Sequence, residues 1–196
     1  MRASLCYLFC IILLSSCQTS TTQHTSPTST NNSIEEDGYT KTNLTGLDGW
    51  QKGSKTNSKE ELEEDGTYFN GKREGAWNTY HTKNGLISSI THYKDGLKNG
   101  AFIQMNDRAT VELVAYYIND KLEGPYRKFN RSKIKEESLY KNGKLDGVRK
   151  QFYDDGSIQL ESVYVNGKRN GVEKYYDQEG NVTIEYEYNN GTRVKK

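Results

Sequence analysis

From residue 68 onward the apolar residues recur in short alternating runs, which is the period of a strand and not of a helix. Tyr68, Tyr93, Tyr117, Tyr140, Tyr164 and Tyr188 stand 25, 24, 23, 24 and 24 residues apart, and each opens a phrase of the form Tyr-x-Asn/Asp-Gly-Lys-x-x-Gly. Five phrases are complete, and Tyr188-Asn189-Asn190-Gly191 begins a sixth. Asn-Gly and Asp-Gly supply the two positive-φ residues of a type I′ hairpin turn. Asn119-Asp120 is the one departure, and aspartate enters that region at modest cost. Six residues before each following Tyr stands a β-branched residue: Ile87, Val111, Ile134, Ile158 or Val182. Polar turns such as Lys83-Asn84-Gly85, Asp154-Asp155-Gly156 and Gln178-Glu179-Gly180 precede this column. The pattern predicts an all-β fold: an elongated single-layer antiparallel sheet of tandem β-hairpins, five repeats plus a partial sixth, over residues 68–196.

Alternation also divides the two faces. Ala76, Ala101, Pro125, Val148 and Val172 stand eight residues after the opening Tyr, and Tyr80, Met105, Phe129, Phe152 and Tyr176 twelve after it, so these apolar columns predict the core face. Trp77, Phe102 and Tyr126 have the opposite parity and predict an exposed recognition strip, with Arg127 and Lys128 beside it as partner-binding residues. Through residues 34–67 the pattern fades. Gly46-Leu47-Asp48-Gly49-Trp50 echoes a repeat and Asp65-Gly66 reads as a turn before Tyr68. An eroded capping repeat therefore stands beside the reading of a plain acidic segment. Ser58 and Glu61 have capping-box spacing, but only Leu62 follows as an apolar residue, so one helical turn at most is expected.

Composition changes the picture at the N-terminus. Leu, Ile, Val and Phe make up only 37 of 196 residues, which excludes a large aliphatic core. Seven of these lie in residues 1–16, where Arg2 precedes the apolar stretch Leu5 to Leu14. That stretch is half what a spanning helix needs and reads as a cleaved signal peptide. Leu14-Ser15-Ser16-Cys17 resembles the bacterial lipobox, which implies diacylation of Cys17 and an extracytoplasmic, lipid-anchored chain. Cys6 and Cys10 fall within the signal, so no thiol is left for a disulfide or thiolate metal site. Gln18 is not the aspartate associated with inner-membrane retention, so the outer membrane is favoured where two membranes are present. The rest of segment 17–33 is Thr, Ser, Asn and Gln with little apolar content, and is expected to be a disordered tether.

The repeat phrase, over Tyr68 to Thr192, resembles the MORN repeat in the bacterial variant found in YwqK-like antitoxins. The resemblance implies a curved sheet without an active site, acting as a protein-binding or scaffold module, or as an immunity protein that neutralises a cognate toxin. Better-known MORN repeats carry a further Gly where this chain has Trp77, Phe102, Tyr126, Arg149 and Glu173, so their phospholipid-binding role is not carried over.

Candidate chemistry is sparse, and no enzyme activity, cofactor or metal is expected. His81 and His92 share a hairpin, but a two-residue turn at Asn84-Gly85 would pair residue 92 with 77, so the histidines do not converge. Asp154-Asp155 offers too few oxygens for calcium. Residues 34–67 hold 9 acids and 4 bases, whereas residues 68–196 hold 17 acids and 22 bases. Arg127, Lys128, Arg131, Lys133 and Lys135 cluster in the third repeat. Export makes nucleic acid an unsuitable partner, which leaves an acidic protein surface, anionic lipid or the acidic segment itself.

Overall fold

The computed structural model describes residues 33–36, as backbone, and 38–194. The expected signal segment 1–16, the expected lipidation site Cys17 and the expected tether up to residue 32 lie outside the described residues. Every regular element among them is a strand: β1 Ser33–Glu36, β2 Tyr39–Asn43, β3 Trp50–Thr56, β4 Leu62–Phe69, β5 Lys72–Tyr80 and β6 Ile87–Lys94. The series continues with β7 Leu97–Met105, β8 Val111–Ile118, β9 Lys121–Leu122, β10 Gly124–Asn130, β11 Lys133–Lys141 and β12 Lys144–Leu145. It ends with β13 Gly147–Phe152, β14 Ile158–Val165, β15 Lys168–Arg169, β16 Gly171–Tyr176, β17 Val182–Asn189 and β18 Thr192–Arg193. All pair antiparallel in chain order in one open sheet, with short β9, β12, β15 and β18 extending the turns.

The turn chemistry explains the repeated phrase. Asn142 and Gly143 take φ of 51° and 79°, the type I′ combination, and Asn119 and Asp120 reach 47° and 65° in the same place. Neighbouring turns are bonded to one another. Gly96 N donates to Arg73 O at 2.9 Å, Gly143 N to Leu122 O at 2.8 Å and Gly167 N to Leu145 O at 2.7 Å. At four of the five turns the residue six after the Tyr adds a side-chain acceptor for the next turn: Glu74 for Asp95 N at 2.9 Å, Glu123 for Asn142 N at 2.7 Å, Asp146 for Asn166 N at 3.0 Å and Asn170 for Asn190 N at 3.2 Å. An isolated hairpin would leave those groups to water, so stacking of repeats is written into the phrase itself.

Each long hairpin carries a register shift, at Thr79/Tyr80, Gln104/Met105, Lys128/Phe129, Gln151/Phe152 and Tyr175/Tyr176. A bulge of this kind adds one residue to one strand. Loop length and bulge together replace the expected pairing of residue 92 with 77: His92 opposes Ala76, and Trp77 opposes Thr91. The loop is longer than two residues, since His81 N bonds Leu86 O. Asp65-Gly66, expected as a turn, lies inside β4. No helical turn forms at Ser58; instead Asn57 Oδ1 accepts from Lys59 N and Glu61 N and closes a tight turn.

Candidate functional site

Paired residues in an antiparallel ladder share a face, and the register places Trp77 with Thr91, Thr91 with Phe102, Phe102 with Ala115, Tyr126 with Ser138, and Arg149 with Ser162. Large and small side chains alternate along this row. The small ones are nearly closed off: Thr91 is 7% exposed, Ala115 0%, Ser138 3% and Ser162 1%. Trp77, at 1%, is the largest buried side chain. It lies flat over Gly66, where a β-carbon would stand 2.3 Å from its Cδ2. Its Nε1 donates to Thr67 O at 3.0 Å, and Tyr39, Tyr68 and Tyr93 meet it edge-on. The opening tyrosines stand on the same side and cap the row.

The expected face assignment is therefore reversed for Trp77 and for the column of Val148 and Val172, while Tyr80, Met105, Phe129, Phe152 and Tyr176, expected as core, are half-buried. Trp77 is part of the core and not an exposed strip, and Phe102 and Tyr126 are half-buried beside Tyr117 and Tyr140. The physical reason is flat packing. In a single-layer sheet no second layer covers the apolar columns, so the face that buries best is the one where long aromatics can lie across small neighbours. Arg127 and Lys128 do not form one surface with the aromatics either. Consecutive in β10, they point to opposite faces, Lys128 on the covered one and Arg127 on the open one.

Charges are built into the covered face. Arg73 stacks 4.1 Å over Trp77, pairs with Glu64 Oε1 at 2.7 Å and Oε2 at 3.2 Å, and donates to Tyr39 Oη at 2.8 Å. Tyr39 also bonds Glu64. Burial, followed by that bond, pushes the Tyr39 phenol up to about 12. Farther along, Arg149 pairs with Glu136 at 2.9 Å. Burial alone would raise the Glu136 carboxyl, but Arg149, Ser138 and Lys128 outweigh it and hold the group below the usual carboxylate range. Glu173, 2% exposed, lies 3.2 Å from Arg169 Nε and accepts from Tyr175 Oη at 3.2 Å.

The other face is open. Leu139, Val148 and Val172 are 43%, 39% and 37% exposed in a row that also contains Pro125 and Val163. Pro125, Leu139 and Val148 line a shallow depression there with Arg127, Glu137 and Lys150. Next to that row runs a ladder of alternating charge, Arg127, Glu137, Lys150, Glu161, Lys174 and Glu185, each opposite the next in register. Arg127 and Glu137 approach to 2.7 Å, and Lys150 and Glu161 to 3.3 Å. Cross-strand pairs of this kind favour the register, although each contributes little in water.

Elsewhere, Lys135 pairs with the Asp154 carboxylate and Lys133 Nζ donates to Asp154 O at 2.7 Å, so two members of the basic cluster are engaged within the chain. His81 bonds Met105 O and His92 bonds Ala101 O, both at 3.1 Å. Among the described residues, no three His, Cys, Asp or Glu side chains converge as metal ligands would.

Two segments, 145–166 and 169–190, match the family model of the MORN repeat variant. The first matched segment spans hairpin β13/β14 and the second β16/β17, each running on through the following Asn. The hairpins β5/β6, β7/β8 and β10/β11 repeat the register of these matched segments, including the bulge. No curated protein matches the chain. Among solved structures, "Crystal structure of GtfA/B complex" is 13% identical, covers 55% of this chain and 19% of that chain, and has a TM-score of 0.30. The chain thus spans about a fifth of that protein, and a score at this level carries no argument.

Proposed function

We propose that the chain is a lipid-anchored module of the cell envelope that has no catalytic centre and acts by binding protein through the open face of its sheet. The observation that carries this reading is the row Leu139, Val148 and Val172, exposed beside a charge ladder while Trp77, Phe102 and Tyr126 pack with the opening tyrosines on the opposite face. Contiguous apolar surface rimmed by ordered polar groups is the usual form of a protein-binding site. MORN repeats commonly serve as protein- or membrane-binding modules. Protein is favoured over anionic lipid because the ladder is neutral in sum and Asp154 engages Lys133 and Lys135. The anchor rests on Leu14-Ser15-Ser16-Cys17 behind an apolar stretch. It places the module on the extracytoplasmic side, with the outer membrane favoured in a cell that has two.

A second reading, immunity against a cognate toxin, is supported by the MORN-variant match and the export signal together. Crosslinking and affinity capture from membranes separates the two. A secreted toxin encoded beside the chain and captured by it supports immunity, and a resident envelope protein supports the scaffold. If Val148→Asp captures as much as the native chain, the open face is not the binding face. If palmitate labelling persists in Cys17→Ala, the anchor is wrong.

A further inference from the structure

The open face is complementary to itself, and we propose that its partner is a second copy of this chain, packed face to face across β10 to β17. This rests on the reading that the open face binds protein. The charge ladder has six members of strictly alternating sign, from Arg127 to Glu185. Such a row read backwards is its own complement. A two-fold axis parallel to the strands, passing between Lys150 and Glu161, sets each row over its reversed copy. Arg127 then faces Glu185 of the second copy, Glu137 faces Lys174, and Lys150 faces Glu161. An odd number of charges, or one sign out of order, would place like charges together.

The same operation acts on the apolar row without further adjustment. It brings Leu139 over Val172 and Val148 over Val163, so the four central side chains of the row meet apolar on apolar, with Pro125 over Glu187 at either end, while the charged row meets its counterpart. Stacked sheets related in this way pack about 10 Å apart with strands nearly aligned. At its β10 end the ladder stops, because beyond Arg127 the register continues into the apolar Val114 and Ile103. Six strands at about 4.8 Å and five residues at about 3.3 Å give a footprint of roughly 29 by 16 Å. That lies at the low end of specific interfaces, so the dimer is weak in solution and is favoured by confinement on a membrane.

In-sheet pairing and dimer pairing make opposite demands, and charge reversal separates them. Glu137→Lys places like charges together twice per dimer, at Lys174 of each copy. The double variant Glu137→Lys/Lys174→Glu restores every contact between copies, yet leaves three bases and then three acids side by side within each sheet. Sedimentation equilibrium of the full chain in detergent is expected to show a native dimer weakened roughly 10- to 30-fold by Glu137→Lys and returned to within about threefold by the double variant. Thermal melting of both variants checks that the sheet remains folded. As a second readout, Leu139→Cys protein mixed with Val172→Cys protein should crosslink through a short bis-maleimide more efficiently than either alone. A native chain that is monomeric throughout, or a double variant weaker than the single one, overturns the proposal. A monomer that still captures a different protein through Val148 overturns the dimer alone and leaves the proposed function standing.

Discussion

Trp77 and Gly66 test the packing of the covered face as a pair. Trp77→Ala removes the largest buried side chain, its bond to Thr67 O and the ring on which Arg73 stacks. The usual cost of such a truncation is about 3–5 kcal/mol. Gly66→Ala adds one methyl where Trp77 Cδ2 would stand 2.3 Å away, with Cε2 at 2.5 Å. Overpacking of this kind costs about 1–3 kcal/mol. With Trp77 already truncated the methyl has room, and an alanine should suit the strand slightly better than a glycine. The double-mutant cycle should thus show a coupling of about 2 kcal/mol or more, with Gly66→Ala harmful in the native background and neutral or mildly stabilising in Trp77→Ala. Repeats touch only their neighbours, so unfolding of the N-terminal hairpins should be followed separately from the whole. Urea titration read by tryptophan fluorescence, from Trp50 and where present Trp77, reports the local event, and far-ultraviolet dichroism the global one. Equal cost of Gly66→Ala in both backgrounds, or a cost below about 1 kcal/mol for Trp77→Ala, would refute the flat packing of the indole on the glycine.

Three further outcomes follow from charges and backbone. The Glu136 carboxyl is held below its ordinary value, so its stabilisation is present above the usual carboxylate range and is lost as pH falls through the depressed value; Arg149→Met should remove that acid-side dependence in pH-jump denaturation curves. The Tyr39 phenol is raised from 10.0 to about 12, so its contribution is intact below pH 10 and disappears as pH rises towards 12; Tyr39→Phe should flatten that alkaline slope, followed by tyrosinate absorbance alongside dichroism. Gly147 holds φ at 124° with Leu139 Cδ1 only 3.0 Å from where a β-carbon would sit, so Gly147→Ala should cost about 1–3 kcal/mol in thermal or urea unfolding, and more than Gly143→Ala if contact adds to backbone strain.

The hairpins were legible because their determinants are local. Asn142-Gly143 or Asn166-Gly167 defines a turn without reference to anything distant, and five repetitions fix the hairpins from residue 68 onward, whereas β1 to β3 lie where the phrase fades. The choice of face was not local. Val148 and Val172 look like core residues because valine is apolar, yet burial in a one-layer sheet depends on how far a side chain can reach across its neighbours. The sequence did contain that signal, in the small residues Gly66, Thr91, Ala115, Ser138 and Ser162 that stand two places before the first five repeat tyrosines, opposite or beside the large residue they accommodate. The bulge at Thr79/Tyr80 left no residue-level mark, and together with the longer loop it shifted His92 by one place. Arg73 within its ring of Tyr39, Trp77 and Tyr93 joins residues up to 34 positions apart, which no single repeat displays.

Thiol reactivity of adjacent residues measures most directly which face is covered. With Cys6, Cys10 and Cys17 replaced by serine, single cysteines at Ser138, Leu139, Val148 and Ser162 would be labelled at protein concentrations low enough to keep the chain monomeric. Ser138→Cys and Ser162→Cys should react only as fast as the sheet opens, whereas Leu139→Cys and Val148→Cys should react at nearly the rate of an unfolded chain. Fast labelling at 138 and 162 with protection at 139 and 148 would contradict the assignment of faces, and with it the binding surface proposed on the open one.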